Sequence, residues 1–200
     1  MAATYTTVAV VSGALKNLLT DALAVVDPND PPQVHLSNLK PVPGGQPPVL
    51  TLFLYEISED VTMRNRPLAR VLGTDAAGEP VYRVAKPPMP LVLRYLVTPW
   101  ANDRVTEHLL IGRTLQTLYE RQIRRGADLS PELATASVSV TLAPLNLEER
   151  TRVWWSIQEP YRLSLNYEVR VIDLDVSEDA GVAERPVRNR DLGAEAGAGE

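Results

Sequence analysis

The 200-residue sequence has no cysteine, a single phenylalanine and only two histidines. No cysteine means no disulfides, no thiolate metal ligands and no thiol nucleophile. It fits a reducing compartment without requiring one. His35 sits in a proline-rich stretch and His108 on an expected helix, and neither has partners at ligand spacing, so surface or structural roles are expected for both. An excess of positive charge is also missing. A net charge of −5 argues against general nucleic-acid binding, which draws its affinity from cations set against phosphates. No apolar run reaches the ~18 residues needed to cross a bilayer, so membrane insertion is not expected. The first residues lack the basic segment of a secretory signal, and synthesis and assembly are expected in the cytoplasm.

The composition that remains, 44% apolar and 22% charged, is that of a soluble globular domain. A chain of this length buries roughly 70% of its unfolded surface and needs no metal to stay folded. The spacing of Val8, Val11, Leu15, Leu18, Leu19, Leu23 and Val26 predicts a helix over 5–26, stopped by Asp27-Pro28. Residues 27–48 hold seven prolines and Gly44-Gly45, a loop with room for a short strand at Gln33–Leu36. Val49–Ile57 is apolar on both faces, as a covered central strand would be. Residues 59–88 form an excursion rich in arginine. Turn residues at Thr74–Glu79 and β-favouring Val81–Val84 make it a hairpin arm.

Leu91–Thr98 predicts a second strong strand. A helix capped by Asn102 or Asp103 follows, expected to run to about Arg125 and stop at Gly126, with Val105, Leu109, Gly112, Leu115, Leu118 and Tyr119 buried. Ser137–Leu142 predicts a short strand. Asn146 with Glu149 three residues on has the form of a capping box, starting a helix over Leu147–Trp155. Leu163–Val171 alternates in strand fashion, and its phase flips after Ile172, the mark of a bulge or of a change of neighbour. One α+β (mixed α/β) domain over 1–176 is expected, a single mixed sheet with helices packed on it, followed by a flexible acidic, Gly/Ala-rich tail over 177–200.

No chemistry converges. Asp173-Leu-Asp175 is too short a pattern to mark a metal site and reads as a solvated strand end. Gly44-Gly45-Gln46 reads as a turn built from glycines. No phosphate-cradling loop or nucleophile elbow occurs, and Glu148 and Glu149 diverge by about 100° on a helix, the wrong geometry for a shared acid–base pair. No enzyme activity and no cofactor are expected. The arm's Arg64, Asn65, Arg66, Arg70 and Arg83 are the candidate subunit or sheath contacts, because loop-borne arginines often serve interfaces. Trp154, Trp155, Pro160 and Tyr161 are expected to form a packed helix-to-strand corner.

Four blocks in order carry a resemblance. They are Leu52–Ile57 continuing to Met63-Arg64-Asn65-Arg66-Pro67-Leu68; Leu91–Thr98; Glu107–Arg113 with Leu115, Gln116 and Leu118; and Leu142–Glu149 followed by Trp155-Ser156 through Tyr167 to Asp173. Together they are similar to the N-terminal domain of the tail-terminator or cap proteins of phage-tail-like contractile injection systems, over about residues 5–176. The arm and the 120–137 linker look individual to this chain. The resemblance implies a structural subunit forming a six-membered ring of identical copies at the baseplate-distal end of a particle, in contact with sheath and inner-tube subunits. Such a particle acts inside the cell or is released from it. An adaptor tethering the particle or its cargo, without a ring, is the alternative.

Overall fold

A computed structural model describes residues 6–37, 39, 48–64, 69–74, 80–85, 89–121, 123, 125–134, 136–174 and 184–186. The elements in chain order are helix α1 (Thr7–Leu23), strands β1 (Gln33–Leu36), β2 (Val49–Glu59), β3 (Ala69–Thr74), β4 (Pro80–Ala85) and β5 (Met89–Trp100), and helices α2 (Arg104–Arg121) and α3 (Gly126–Leu129). A 3-10 turn (Pro131–Leu133), β6 (Ser137–Leu142), α4 (Leu147–Ser156), β7 (Leu165–Leu174) and β8 (Glu184–Pro186) complete the chain. The fold is α+β, as the pattern of periods predicts.

The main sheet has the order β1-β2-β5-β7-β6, with β1 parallel to β2 and every other pair antiparallel. Alternation along β5 divides the protein into two cores. Leu93, Tyr95 and Val97 face α1 and α2, joining Val11, Leu15, Leu19, Leu110 and Leu118. Leu96 and Trp100 face the other way and meet Trp154 of α4 with Leu39 and Val49. Where α1 crosses the sheet, Ser12 and Tyr95 share a buried hydrogen bond of 2.8 Å, so the one polar tip in that contact is satisfied. Two bulges adjust the pleat. One inserts Tyr55 opposite the Tyr95/Arg94 step, and the other passes over Asp173, between the pairs Met89–Leu174 and Pro90–Ile172, where the flip in alternation places it.

Two expectations need correction. First, α2 ends at Arg121, and Gly126 opens α3 instead of terminating α2. Glycine is needed there because a Cβ would lie 1.8 Å from the Leu133 carbonyl oxygen. Second, α2 is rotated from the expected stripe. Glu107, Leu110, Ile111, Thr114, Thr117 and Leu118 are buried, while Val105, Leu109 and Tyr119 are exposed. The rotation is possible because the buried polar groups are all satisfied. Thr114 and Thr117 donate to the carbonyls of Leu110 and Arg113, and Glu107 is ion-paired. Beyond the main sheet, Glu184–Pro186 pairs antiparallel with β4. The arm is thus a three-stranded sheet, β3-β4-β8, with register Ala69–Ala85 to Thr74–Pro80 across the hairpin. The rest of the expected tail lies outside the described residues.

The capping box at Asn146 is reciprocal, with Asn146 Oδ1 accepting from the Glu149 N–H at 2.8 Å and Glu149 accepting from the Asn146 N–H at 3.0 Å. At its other end α4 closes in a Schellman arrangement. The Gln158 N–H reaches the Trp155 carbonyl, and the Glu159 N–H reaches the Trp154 carbonyl. The closing residue is Gln158, with φ of 61°, where glycine is the unstrained choice. Replacing Gln158 by Gly is expected to stabilise the fold by about 1 kcal/mol. Gly126→Ala is expected to destabilise it by roughly 1–3 kcal/mol through overpacking. Urea denaturation of the two variants against the parent checks both signs.

Candidate assembly surface

The arm leaves the sheet at a charged clamp. Asp60, 5% exposed, ends β2, and its N–H donates to the Pro90 carbonyl at 2.9 Å, so the two roots of the arm are tied together. Asp60 Oδ1 accepts from the Thr62 N–H at 3.0 Å and hydroxyl at 2.6 Å, and Oδ2 accepts from Arg170 at 3.3 Å. From there a ladder crosses the face of the sheet on which α4 lies. Arg170 donates to Glu168, and Arg94 donates to Glu168 at 3.4 Å and to Glu56 at 2.9 Å. The Thr62 hydroxyl bond is the main reason the Asp60 carboxyl is held below its ordinary range, with Arg170 adding to it.

Of the arginines expected to serve contacts, Arg64 is exposed just beyond this clamp, 3.8 Å from Glu59. A pair this open contributes little to stability. Asn65 and Arg66 lie outside the described residues. Arg70 stands opposite Val84 and Arg83 opposite Val71 in the hairpin register. The structure therefore brings Arg70 and Arg83 onto one hairpin and places Arg64 at its root.

The corner between α4 and β7 is built differently from expectation. Trp154 is 1% exposed, but Trp155 is 82% exposed, and Pro160 and Tyr161 also lie at the surface. The helix geometry explains the split, since adjacent residues point about 100° apart and only one of two tryptophans can face the sheet. The residues that fix this corner are Trp100, Arg162 and Glu107. Trp100 packs on Trp154 with ring centroids 6.4 Å apart, and its indole N–H donates to the Thr51 hydroxyl at 3.0 Å. The Arg162 guanidinium lies 4.4 Å from the centre of the Trp100 ring and donates to Glu107 on the first turn of α2. Arg104 holds the other Glu107 oxygen at 2.6 Å. One arginine thereby ties β5, α2 and the loop after α4 together. Spacing alone does not bring these three together, although a glutamate in the first turn of a helix, one turn from its cap, is a usable signal.

Among the described residues no three His, Cys, Asp or Glu side chains come together as metal ligands, and no helix is long and apolar enough to cross a membrane. The paired carboxylates are each neutralised by arginine, an arrangement suited to holding strands and helices in register.

The sequence matches the Pvc16 N-terminal domain family over residues 10–189. Among solved structures, the fold resembles the sheath/tube terminator of an extracellular contractile injection system, PVC, in its extended state. The TM-score is 0.58 at 21% identity, covering 96% of this chain and 72% of that one. It also resembles the tube-terminating cap of the anti-feeding prophage, with a TM-score of 0.52 at 22% identity, covering 86% of this chain and 57% of that one. A search of curated proteins returns no match.

Burial by itself raises the Glu107 pKa, but the hydrogen bonds and charges of Arg104 and Arg162 outweigh it and leave the carboxyl below its ordinary 4.5. A depressed folded value means that the contribution is complete above the unfolded pKa and is lost as pH falls through the folded one. Glu107→Gln should therefore lower stability at neutral pH by roughly 2–4 kcal/mol, the lower part of the range for a broken buried pair because Arg104 reaches solvent. The same variant should flatten the acid limb of a stability–pH curve below about pH 4.5. Urea melts across pH 3–7 measure both, and an unaltered acid limb would remove Glu107 from this role.

Proposed function

The chain belongs to the Pvc16 N-terminal domain family, and on that premise we propose that it is a structural cap of a contractile injection system. In this reading identical copies close into a ring of six on the baseplate-distal end of the particle and end the growth of inner tube and sheath. The protein is not an enzyme. It assembles in the cytoplasm and travels with the particle. The observation that carries the reading is the family match over residues 10–189, nearly the whole domain. The sheet order and flanking helices agree with it, since solved chains of this fold are a sheath/tube terminator and a tube-terminating cap.

The architecture suits the role. A ring needs one face of a subunit to meet a different face of its neighbour, and the domain supplies distinct faces, with α1 and α2 on one side of the sheet, α4 on the other and an arm at one end. Arg64, Asn65, Arg66, Arg70 and Arg83 are proposed to contact a neighbouring copy or the sheath through the arm.

Electron microscopy and native mass measurement of the purified chain should find six-membered rings. Particles assembled with Arg64→Glu/Arg66→Glu protein should lose length control, while the variant stays folded. Normal particle lengths from that variant would instead favour a tethering adaptor. A chain that stays monomeric and never co-purifies with tube or sheath would end the cap reading.

A further inference from the structure

Among the described residues, four buried polar side-chain atoms have no hydrogen-bond partner in the protein: Thr98 Oγ1, Trp154 Nε1, Arg162 Nε and Ser164 Oγ. Such orphans cost stability, and folded proteins hold few of them. All four fall in one corner of the second core, and the strand register explains why they are neighbours. Leu96 and Trp100 face α4, so Thr98 between them on β5 shares that face. Leu96 pairs with Asn166 and Val97 with Leu165. One step further along this register Ser164 stands beside Thr98, and three steps bring Arg162 beside Trp100. The Arg162 guanidinium lies 4.4 Å from the centre of the Trp100 ring, as that continuation predicts. Trp154 covers the corner from α4, packed on Trp100 in the cluster that includes Leu96.

A neighbouring subunit cannot supply the missing partners, because Thr98, Trp154 and Ser164 are 0%, 1% and 1% exposed. The polar groups around them are already engaged. The Trp100 indole N–H donates to the Thr51 hydroxyl, which itself donates to the Thr98 carbonyl. Asn166 accepts from the Tyr55 hydroxyl and donates to the Ala143 carbonyl. Of the four orphans, the Trp154 and Arg162 N–H groups can only donate, whereas the two hydroxyls can donate or accept. A water molecule has the complementary set, with two lone pairs for the N–H donors and two hydrogens for the hydroxyl oxygens.

We propose that this corner is a binding site for one buried water, which accepts from the Trp154 indole and Arg162 Nε–H groups and donates to the Thr98 and Ser164 hydroxyls. Buried waters typically make about three hydrogen bonds, so the four partners suffice. Through the water the last turn of α4 is hydrogen-bonded to β5 and to the segment leading into β7. That adds a directional tie to the apolar Trp100–Trp154 contact.

Two nearly isosteric substitutions, Thr98→Val and Ser164→Ala, each remove one hydroxyl. With the water bound, each leaves it and the remaining donors poorly bonded, and the folding constant from urea denaturation is expected to fall about five- to thirtyfold. The double variant is expected to lose less than the product of the two factors, because the first change has already weakened the site. A dry corner reverses the sign, since replacing a buried hydroxyl that lacks a partner by an apolar group removes a penalty. A high-resolution crystal structure of the parent is expected to show density within hydrogen-bond distance of Trp154 Nε1 and both hydroxyls, and the double variant is expected to lose it. The parent density decides even where a variant does not fold. Folding constants that hold or rise in both single variants would overturn the proposal, as would a well-ordered corner without that density. A peak there that turns anomalous in bromide would make the guest a small anion and overturn it as well.

Discussion

Strand β5 is the constraint on which the rest of the structure depends. It is paired along most of its length with β2 on one side and β7 on the other, and both of its faces are covered. A strand in that position must be apolar in both phases, and its alternation then assigns every neighbour to a side. Leu93, Tyr95 and Val97 draw α1 and α2 to one face, and Leu96 and Trp100 draw α4 to the other. The cross-strand partners follow in register. The same strand therefore places α2 and the exposed Trp155 on opposite sides of the domain.

Polar groups inside this frame act as ties. Glu107, Arg162 and Trp100 join the start of α2 to the end of β5, and Asp60, Arg170, Glu168, Arg94 and Glu56 cross the sheet toward the arm. For the buried carboxylates Glu107, Asp60 and Glu168, removing the arginine strands a charge in a poorly hydrated place, and the cost of that stranding exceeds the modest net worth of the pair. These ties explain how an acidic domain with few aromatics holds two separate cores in one orientation.

Elements set by local periodicity were legible from the residues. The capping box at Asn146, the central strands and the bulge near Asp173 all declare themselves within a few positions. The rotation of α2 was not legible, because its buried face carries Glu107, Thr114 and Thr117, whose burial depends on hydrogen bonds to groups elsewhere or back to the helix itself. Helical spacing alone fits either Leu109 with Tyr119 or Leu110 with Leu118, and only the sheet decides between them. The strand at Glu184–Pro186 was hidden for another reason, since its pairing is made by backbone groups that composition does not report. For the candidate surface, the arginines of the arm were visible in the sequence, whereas the exposed Val105, Leu109 and Tyr119 could be seen only once α2 was known to be rotated.

The clamp at Asp60 gives the domain a mechanical character. The arm departs from the end of β2 and returns at the start of β5, and the Asp60–Pro90 bond and the Arg170 ion pair fasten that junction. A pull on the arm therefore runs along the axes of β2 and β5, while the ladder hydrogen bonds to β1 and β7 lie across that axis. Every rung is loaded together in shear, and none is peeled in turn. Tension entering through the arm would thus be spread over the whole sheet before any strand could slip.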